Sequence, residues 1–499
     1  MKKILKNKTH KRIKILFINP PQSANPKDKF TNHKLPLGFL YMAGVLEKNG
    51  FEVKILDCPL YYKFKRKINK DTIRIGLLPK QIKQEIQEFN PDIIGVSCSF
   101  TMYEADAFEV IDLIKTNFKD KLIVVGGAHS SANPKFVLRN KKIDLVVIGE
   151  GENTILEIAQ KYNKNQKLTN IKGTALRTGN KIKINKPREY IQDLDSLKPA
   201  WHLIDMQSYF NHPDNSIATM RKNSVDIVSS RGCPGNCVFC SIHTVWGRKW
   251  RARTPKNVVD EIEFLCKKYG AKQFRFQDDN LTLNKKRILK ICDEIIKRKL
   301  DIKWDTPNGV ALWALDKEIL SKMKKAGCYR VTFGVESGCK NTQKYIGKVI
   351  NLDYINEMVN FCHKIGLWVC STFIMGFPNE TKEEIEQTRK FILSSKINFP
   401  FIYIAQPYQG TRMYEDFKQK GLIKDFAKLS NIKNTRYNTL YLKSKELNNI
   451  LADTYKQFYF QKIKSYLNPF IFYSEFFSKI RSFEDLKYTL RMIKAVIFK

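Results

Sequence analysis

The sequence predicts an α/β protein with three parts: a doubly wound parallel sheet, a partial α/β barrel of six strand–helix units, and a helical C-terminal region. Short runs rich in β-branched residues alternate with helical stretches of about 10–15 residues along the first third of the chain, and the alternation resumes near Val225. After about Gly421 the strand-like runs stop, and the pattern becomes helical, basic and aromatic.

These patterns set four segments. Residues 12–172 form the doubly wound domain, residues 221–421 form the (β/α)6 barrel, and residues 422–499 form the helical region. Residues 173–220 lack clear periodicity and contain several prolines, which favours a linker. The predicted strands are 14–19, 51–56, 93–97, 122–125 and 145–148 in the first domain, and 225–229, 273–277, 301–305, 330–335, 367–373 and 401–405 in the barrel.

Composition limits the class of protein. The chain has 499 residues, and its 43 % hydrophobic content excludes global disorder. The longest apolar stretch, residues 35–46, is shorter than the ~20 residues that a membrane span needs. The basic N-terminus lacks the apolar core of a signal peptide, so we expect a cytoplasmic protein. Eleven cysteines, an odd number, favour free thiols or metal ligands over a disulfide framework.

The charge balance is strongly basic, with 88 Lys and Arg against 49 Asp and Glu, a formal net charge of +39. A balance of this size is compatible with a nucleic acid, an anionic membrane or an acidic partner. The lysines are spread along the whole chain together with many Asn and Ile residues, which also fits the codon bias of an AT-rich genome. No RNA-binding signature accompanies the charge, so nucleic acid is not an expected partner.

The segment 229–240 (SSRGCPGNCVFC) places three cysteines at C-x3-C-x2-C spacing in a loop directly after an apolar strand. Clustered thiolates bind zinc or an iron–sulfur cluster. A structural zinc site needs a fourth ligand, for which His243 is the nearby candidate. A cubane held by Cys233, Cys237 and Cys240 would leave one iron open to a small chelating ligand. The other eight cysteines are isolated, so a second cluster is not expected.

This motif, after the first strand of an α/β barrel, resembles the radical S-adenosylmethionine (radical SAM) superfamily. The resemblance implies that the three cysteines bind a [4Fe–4S] cluster whose open iron takes the amino and carboxylate groups of S-adenosylmethionine. Phe239, the aromatic residue before the last cysteine, is similar to the residue that packs near adenine in that superfamily.

The segment FQDDNLT, which ends the second barrel strand, resembles a segment that replaces a Gly-Gly-Glu motif in many members of the superfamily. The resemblance implies that Asp278 or Asp279 contacts the amino group of the cofactor or the substrate. Helix N-capping by Asp279 or Asn280 is a compatible alternative.

Two later strand ends also resemble the superfamily. The segment FGVESG is similar to a strand whose Glu or Ser reaches the ribose, which implies a role for Glu336 or Ser337. The segment FIMGFPNET is similar to the strand that presents backbone groups to adenine, which implies a role for Ile374 and Gly376. Glycine at the latter position permits a close approach of the backbone.

The front domain resembles the cobalamin-binding domain that precedes the barrel in one large branch of this superfamily. The resemblance implies cobalamin contacts from small or proline residues at three strand ends: Pro20, Pro21, Ser97, Gly126 and Gly127. At Gly126-Gly127 a simple strand-to-helix turn is the alternative. The cobalt-ligating Asp-x-His-x-x-Gly motif of classical cobalamin carriers is absent after the first strand, as it is in many radical SAM relatives, whose cobalt has no protein His or is ligated otherwise. His129 is a candidate substitute, and loss of cobalamin binding is the other interpretation.

The resemblance implies an enzyme in which the reduced cluster cleaves S-adenosylmethionine to a 5′-deoxyadenosyl radical, which takes hydrogen from an unactivated carbon, and methylcobalamin then delivers a methyl group. We therefore expect a cobalamin-dependent methyltransferase for a small-molecule or lipid-like substrate, with an electron donor such as flavodoxin or ferredoxin. No residue is assigned a catalytic role. A cobalamin-type cyclase or oxidase without net methylation, and a non-catalytic, metal-bound RNA-binding protein, are the alternatives.

The C-terminal region combines an apolar helical stripe over residues 444–467 with an aromatic segment, residues 470–477, and several basic residues beyond it. Pro469 is expected to end the first helix. Aromatic residues and cations together are typical of an interfacial helix on an anionic bilayer, which predicts peripheral membrane contact that helps to admit an apolar substrate. A helical cap packed over the barrel is the alternative.

Overall fold

The structure, a computed structural model, describes residues 12–26, 33–214, 219–423 and 435–497, with backbone alone for 493–497. The chain divides into two compact units. The first comprises residues 1–191 and 196–205, and the second comprises residues 192–195 and 206–499. No helix in the described ranges is both long and apolar enough to cross a lipid bilayer.

The first unit alternates strands and helices. Its strands are β1 (Lys14–Asn19), β2 (Gln22–Ala24), β3 (Glu52–Asp57), β4 (Lys65–Asn69), β5 (Thr72–Ile75), β6 (Ile93–Ser97), β7 (Leu122–Gly126), β8 (Leu145–Val147), β9 (Thr174–Thr178) and β10 (Lys181–Ile184). Its helices are α1 (Leu37–Lys48), α2 (Pro79–Phe89), α3 (Glu104–Asn117), α4 (Ala128–Ala132), α5 (Pro134–Val137) and α6 (Glu152–Asn163), with 3₁₀ turns at Cys58–Leu60, Thr101–Tyr103 and Trp201–Leu203.

A seven-stranded sheet in the order β10-β9-β8-β7-β6-β1-β3 forms the centre of this unit. Its strands β3, β1, β6, β7 and β8 are parallel to one another. Helices α2 and α3 pack on one face and α1 and α6 on the other, which confirms the predicted doubly wound fold. The strand order reverses between β1 and β6, the position at which such sheets bind ligands beyond the carboxyl ends of their strands.

The structure differs from the sequence prediction at residues 173–220. The hairpin β9–β10 continues the sheet by antiparallel pairing with β8, and the Ala200 N–H donates to the Leu40 carbonyl at 3.0 Å. Much of the predicted linker therefore belongs to the first unit. A small sheet in the order β2-β5-β4 was also not predicted.

The second unit begins with α7 (Met206–Asn211). Its strands are β11 (Ser224–Ile227), β12 (Ser230–Arg231), β13 (Arg251–Ala252), β14 (Gln273–Phe276), β15 (Lys303–Asp305), β16 (Cys328–Glu336), β17 (Trp368–Met375) and β18 (Phe399–Ile404). Its further helices are α8 (His243–Trp246), α9 (Pro255–Tyr269), α10 (Lys285–Lys297), α11 (Lys317–Lys325), α12 (Lys340–Ile346), α13 (Leu352–Ile365), α14 (Lys382–Ser394), α15 (Arg412–Gln419), α16 (Ser444–Ser465), α17 (Pro469–Glu475) and α18 (Phe483–Ile497), with 3₁₀ turns at Leu194–Ser196, Leu312–Ala314 and Phe477–Lys479.

Six parallel strands in the order β11-β14-β15-β16-β17-β18 form the predicted partial barrel. Charges of alternating sign lie on four successive strands, and all but the partly buried Arg275 are buried: Asp226, Arg275, Asp305 and Arg330. A set of opposite charges, once buried, tolerates loss of a member poorly, because an unpaired buried charge costs several kcal/mol.

The C-terminal helices cover the edge and the amino end of the barrel. Helix α16 lies against β18, where the Ile402 N–H donates to the Tyr455 hydroxyl at 2.8 Å, and Tyr488 of α18 packs edge-on against Tyr329 and Trp368 near the starts of β16 and β17. The helical cap, the alternative to membrane contact in the sequence analysis, is therefore present, but part of it lies at the strands' amino ends. Pro469 begins α17, and residues 424–434 and 498–499 of this region lie outside the described residues.

Candidate active site

The cysteine loop follows β11 at the carboxyl end of the barrel. It runs between β12 and β13, which pair antiparallel and close the loop at its base. Gly232 has φ +87°, and a Cβ there would lie 2.4 Å from the Lys249 carbonyl oxygen. Only glycine fits this conformation and this close approach, so Gly232 sets the shape of the loop.

The three predicted metal ligands, Cys233, Cys237 and Cys240, come together in this loop and are half-buried. A Cβ placed on Gly235 would lie 3.3 Å from the Cys233 Sγ and 3.9 Å from the Cys237 Sγ, and the Cys240 N–H donates to the Cys237 carbonyl at 3.1 Å. Burial, with a further contribution from the neighbouring thiols, raises the pKa of Cys240 to about 11. A bound metal would offset this, because it stabilises the thiolate form of its ligands.

The donor set, three thiols in one loop, suits the three protein ligands of an iron–sulfur cubane. No group of three or more His, Cys, Asp or Glu side chains within the described ranges is arranged around a single ion, and His243 does not complete such a group. A cubane distributes its three protein ligands over three irons, so the sulfurs need not converge on one point.

The loop is fixed to two helices of the barrel. The Val238 N–H donates to the Ile346 carbonyl at the end of α12, and the Met413 N–H in α15 donates to the Val238 carbonyl, both at 3.0 Å. Phe239, Ile374 and Cys237 pack against the same apolar cluster, which includes Phe377. Two residues predicted near adenine thus lie beside a predicted cluster ligand.

Gly376 follows β17 with φ +83°, and a Cβ there would lie 3.2 Å from Ile404 and Leu447 side-chain atoms. Its N–H donates to Glu380 at 2.6 Å, and the Phe377 N–H donates to the same carboxylate oxygen at 3.2 Å. Thr342 donates to the other oxygen of Glu380 at 3.2 Å. Glu380 is fully buried and holds the strand end that the sequence predicted to face adenine. Sequence reasoning missed this role of Glu380.

The two adjacent aspartates have different surroundings. Asp278 is buried and accepts hydrogen bonds from the Ser229 N–H at 3.0 Å, the Ser229 hydroxyl at 2.7 Å and the Ser230 hydroxyl at 2.5 Å. Asp279 is half-buried, accepts a hydrogen bond from the Gly232 N–H, and interacts electrostatically with Cys240. Burial, and secondarily Asp278, raises the pKa of Asp279 to about 7. Asp278 therefore holds the start of the cysteine loop, while Asp279 is the carboxylate nearer to the thiols.

Glu336 and Ser337 also face different neighbours. The Glu336 carboxylate pairs with the Lys348 Nζ at 2.9 Å and accepts from the Thr372 hydroxyl at 3.2 Å. The Ser337 hydroxyl lies 2.9 Å from that of Thr388 on α14 and accepts from the Cys339 N–H. Glu336 has φ +68°, an unusual conformation for a residue other than glycine, which is typical of functional sites.

Lys348 is a site residue that sequence reasoning missed. Although burial by itself lowers the pKa of its amine, Glu336, Cys237 and Cys233 raise it, and the net shift is upward. The ammonium group therefore pairs with the Glu336 carboxylate and interacts electrostatically with two thiols of the cysteine loop. Its position 12 residues after Glu336, beyond a helix, left no local sequence signal.

The predicted cobalamin residues lie at the carboxyl ends of parallel strands in the first unit. Pro20 and Pro21 are buried after β1, and Ser97 and Gly126 are register partners at the ends of β6 and β7. Gly127 has φ +123°, and a Cβ there would lie 2.8 Å from the Cys98 carbonyl oxygen. These small residues keep the backbone accessible at that edge.

His129 is held at both ring nitrogens. Its Nδ1 lies 2.9 Å from the Thr101 hydroxyl and its Nε2 lies 2.6 Å from a Glu104 carboxylate oxygen, and the ring is buried. The structure therefore gives no support to His129 as a cobalt ligand.

A second buried histidine in the first unit, which sequence reasoning missed, lies near the ends of β1 and β3. The His33 Nε2 is 2.7 Å from the Asp57 Oδ2, and Asn19 donates to the Asp57 Oδ1 at 2.7 Å. Asn19 and Asp57 are register partners, a pairing that the sequence alone does not reveal.

Comparison with known proteins decides the family. The radical SAM superfamily model matches residues 227–392, and the B12 binding domain model matches residues 28–159. An uncharacterized methyltransferase of Pyrococcus horikoshii is 33 % identical over 411 residues, covering 81 % of this chain and 83 % of the relative. The chain belongs to the cobalamin-binding radical SAM family. Membership confirms the predicted fold class, radical SAM enzyme class and cofactor set of a [4Fe–4S] cluster, S-adenosylmethionine and cobalamin.

The other proteins to which the chain is similar differ in the reaction that their names give. Cytidylyl-2-hydroxyethylphosphonate methyltransferase of Streptomyces wedmorensis is 30 % identical, covering 84 % of each chain. Anaerobic magnesium-protoporphyrin IX monomethyl ester cyclase of Cereibacter sphaeroides is 25 % identical, covering 90 % of this chain and 71 % of the relative. Among solved structures, the cobalamin-dependent S-adenosylmethionine radical enzyme OxsB matches 98 % of this chain and 72 % of its own with a TM-score of 0.70 at 18 % identity, a likeness in fold. None of these matches supports the RNA-binding alternative.

Proposed function

We propose that this chain is a cobalamin-dependent radical SAM methyltransferase that methylates an unactivated carbon of a small-molecule or lipid-like substrate. The observation that carries the proposal is the grouping of three half-buried thiols in one loop at the carboxyl end of the barrel, in a chain that also has a B12-binding domain. The two more similar relatives named above are both methyltransferases, which favours methyl transfer over cyclisation.

In this proposal Cys233, Cys237 and Cys240 hold the [4Fe–4S] cluster. When bound, the cluster supplies the electron that splits S-adenosylmethionine into methionine and a 5′-deoxyadenosyl radical, and the corrin supplies the methyl group. Burial of the thiols excludes water from the cluster's protein side. Exposed Arg248 and Lys344 flank the loop, which favours an acidic one-electron donor such as flavodoxin or ferredoxin.

The barrel residues then have distinct positioning roles toward S-adenosylmethionine. Phe239, Ile374 and Gly376 form the side that would receive adenine, because they lie on the loop and strand end next to Cys237. Asp279 and Glu336 present carboxylates to its polar groups, and Lys348 offers an ammonium group to its carboxylate. For Asp278 and Ser337, which the resemblance also nominated, the contacts favour a structural role.

In the first unit we assign cobalamin contacts to the strand-end residues nominated by the resemblance: Pro20, Pro21, Ser97, Gly126 and Gly127. A Cβ on Gly126 would meet nothing closer than the Val147 Cβ at 3.8 Å, so this strand end has room for a ligand. Because His129 already binds Thr101 and Glu104, the proposal includes no cobalt ligand from that residue.

The test is anaerobic reconstitution with iron, sulfide and hydroxocobalamin, followed by reaction with methyl-labelled S-adenosylmethionine, a chemical reductant and fractionated cell extract. The proposal expects 5′-deoxyadenosine, S-adenosylhomocysteine and label in an extracted product. Replacing Cys233, Cys237 and Cys240 together by Ala should abolish cluster binding and 5′-deoxyadenosine formation. Cys266→Ala, an isolated cysteine on α9, is the matched control and should keep both.

The second candidate, a cyclase or oxidase without net methylation, is favoured by the Cereibacter sphaeroides relative. In that reaction the labelled methyl group leaves with methionine, and no S-adenosylhomocysteine forms in step with product. Formation of 5′-deoxyadenosine with all label in methionine would therefore reject methyl transfer and keep the radical SAM assignment. Release of 5′-deoxyadenosine by the triple Cys→Ala variant would reject the cluster site itself.

A further inference from the structure

The last three helices of the chain each carry an apolar stripe on their outer face. In every stripe the spacing is i, i+3, i+7, the spacing of side chains on one side of a helix. The side chains are between 37 % and 83 % exposed. The stripes are Phe460 and Ile463 on α16 with Leu467 just after it, then Phe470 and Tyr473 on α17 with Phe477 in the turn after it, then Phe483, Leu486 and Leu490 on α18.

Among the described residues, these outer faces stay largely exposed, apart from local contacts such as that of Phe477 with Phe472 and that of Lys487 with the Phe483 ring. The inner face of α16 buries Leu451 and Phe458, and its Tyr466 packs against Phe472 and Phe476. On α18, Tyr488 is fully buried against the barrel. Single exposed apolar side chains are common on protein surfaces, but nine at helical spacing on three consecutive helices are not.

The charges beside the stripes are positive on balance. Lys456, Lys464 and Lys487 are exposed on the same helices. The acidic residues near the stripes are engaged: Glu475 pairs with Lys462 at 2.6 Å, Glu484 pairs with Arg221 at 2.8 Å, and Asp485 accepts from the Arg481 N–H and the Ser482 hydroxyl. The two at the other end of α16 are engaged as well: Glu446 accepts from the Lys443 N–H, and Asp453 pairs with Arg389. An anionic partner therefore meets cations here, and the nearby carboxylates are already neutralised or hydrogen-bonded.

We infer that these three stripes, together called the amino-end surface, bind the face of an anionic lipid bilayer. Exposed aromatic and aliphatic side chains beside lysines are the features that hold an amphipathic helix at the interface between headgroups and acyl chains. Binding of this kind does not require a membrane-spanning helix, and the described residues contain none.

The position of the amino-end surface gives it an anchoring role separate from substrate entry. Phe476 and Tyr488 contact Trp368, the first residue of β17, whereas Gly376 and the cysteine loop lie beyond the strands' carboxyl ends. Eight strand residues separate the two ends by roughly 25 Å. The amino-end surface therefore lies away from the barrel mouth, although the start of α16 reaches that mouth, where Leu447 lies beside Gly376. The expected admission of an apolar substrate by residues 444–499 stays a prediction.

The test measures co-sedimentation of the full chain with vesicles of phosphatidylcholine and phosphatidylglycerol in equal amounts. Binding should occur at low salt, weaken at high salt, and be much weaker on phosphatidylcholine alone. The variant Phe460→Ser/Leu467→Ser/Phe470→Ser changes three exposed side chains and should lower the partition coefficient ~tenfold or more. Ile68→Ser/Ile184→Ser/Phe264→Ser, three exposed apolar residues elsewhere, is the matched control and should bind like the unchanged chain.

Three outcomes would overturn the inference: no sedimentation of the full chain, equal binding by the test and control variants, or a self-associated chain that the test variant makes monomeric while vesicle binding is absent. The last outcome would assign the surface to a second copy of the chain. Each variant is also assayed for cluster content and 5′-deoxyadenosine formation without vesicles. These should be unchanged, so a failure of membrane binding is distinguishable from a failure of the proposed chemistry.

Discussion

Replacing Glu380 by Gln should make the protein more stable at alkaline pH. Glu380 is fully buried and accepts the N–H groups of Gly376 and Phe377 and the hydroxyl of Thr342. A glutamine of the same shape can accept both N–H groups with its oxygen and donate its amide to the Thr342 oxygen. The substitution therefore keeps the hydrogen bonds and removes a buried negative charge.

The magnitude follows from the titration of this carboxyl. Desolvation by burial raises its pKa from 4.5 to about 7, even though the three hydrogen bonds lower it. The folded chain then binds a proton that the unfolded chain has already lost, so this contribution to stability is complete below about pH 4.5 and is lost as the pH rises through 7. This difference in pKa between the unfolded and the folded chain corresponds to about 3 kcal/mol of unfolding free energy.

The assay is urea unfolding of the unchanged chain and Glu380→Gln from pH 5 to pH 8, compared at each pH so that other titrating groups cancel. We expect similar midpoints at pH 5 and a more stable variant at pH 8, by up to ~3 kcal/mol. Glu383→Gln, an exposed carboxylate nearby, is the control and should show no such gain. Equal pH slopes for Glu380→Gln and the unchanged chain, or a less stable variant at pH 8, would refute the reasoning.

Three further predictions concern the loop, the ion pair and the tail. Gly232→Ala should lower the free energy of unfolding by ~2 kcal/mol or more and reduce the iron and sulfide bound after reconstitution. The control is Gly50→Ala, where φ is +84° and an added Cβ would meet open space; it should keep the full iron content. Lys348→Met should leave Glu336 without its cation, lower the free energy of unfolding by ~3 kcal/mol in urea and raise the KM for S-adenosylmethionine. An unchanged unfolding free energy and an unchanged KM would show that Lys348 has no role in the site. Tyr488→Phe removes only the hydrogen bond from Arg330 and should lower the free energy of unfolding by ~1 kcal/mol, whereas Tyr488→Ala should lower it by ~3–5 kcal/mol. Equal losses for the two variants would contradict the packing of the Tyr488 ring against the barrel.

The sequence predicted elements that are buried and therefore carry a recognisable run of apolar residues. The barrel strands are short β-branched or aromatic runs between amphipathic helices, and all six lie where expected, within a few residues at their ends. The missed strands β4 and β10 read KRKIN and KIKI and are largely exposed, so they carry no apolar signal. Their positions depend on pairing with neighbours that a local pattern does not contain.

The candidate site was predictable to the extent that it depends on local spacing. The cysteine loop and the strand ends at Glu336 and Gly376 are motifs within a few residues, and the structure brings Cys237, Phe239 and Ile374 to one apolar cluster. Lys348 and Thr342 reach their carboxylate partners across a helix or between strands. Such pairs exist only in the folded chain, which is why pattern reasoning found one partner and missed the other.

Adjacent residues at a strand end point in opposite directions, so the two aspartates of the FQDDNLT segment face different surroundings. Asp278 is turned into the protein, where Ser229 and Ser230 donate to it, so its neighbour Asp279 is left on the side of Cys240. Asp278→Asn should therefore lower the free energy of unfolding by ~2 kcal/mol, because the three hydrogen bonds that a carboxylate accepts become weaker bonds to a neutral amide. Asp279→Asn should instead raise the KM for S-adenosylmethionine about tenfold without lowering the free energy of unfolding, since it removes a charge beside the thiols and leaves the hydrogen bonds of Asp278 in place. If Asp278→Asn alone raised the KM and Asp279→Asn alone lowered stability, the carboxylate that faces the cofactor would be Asp278, and the assignment of the two roles would have to be exchanged.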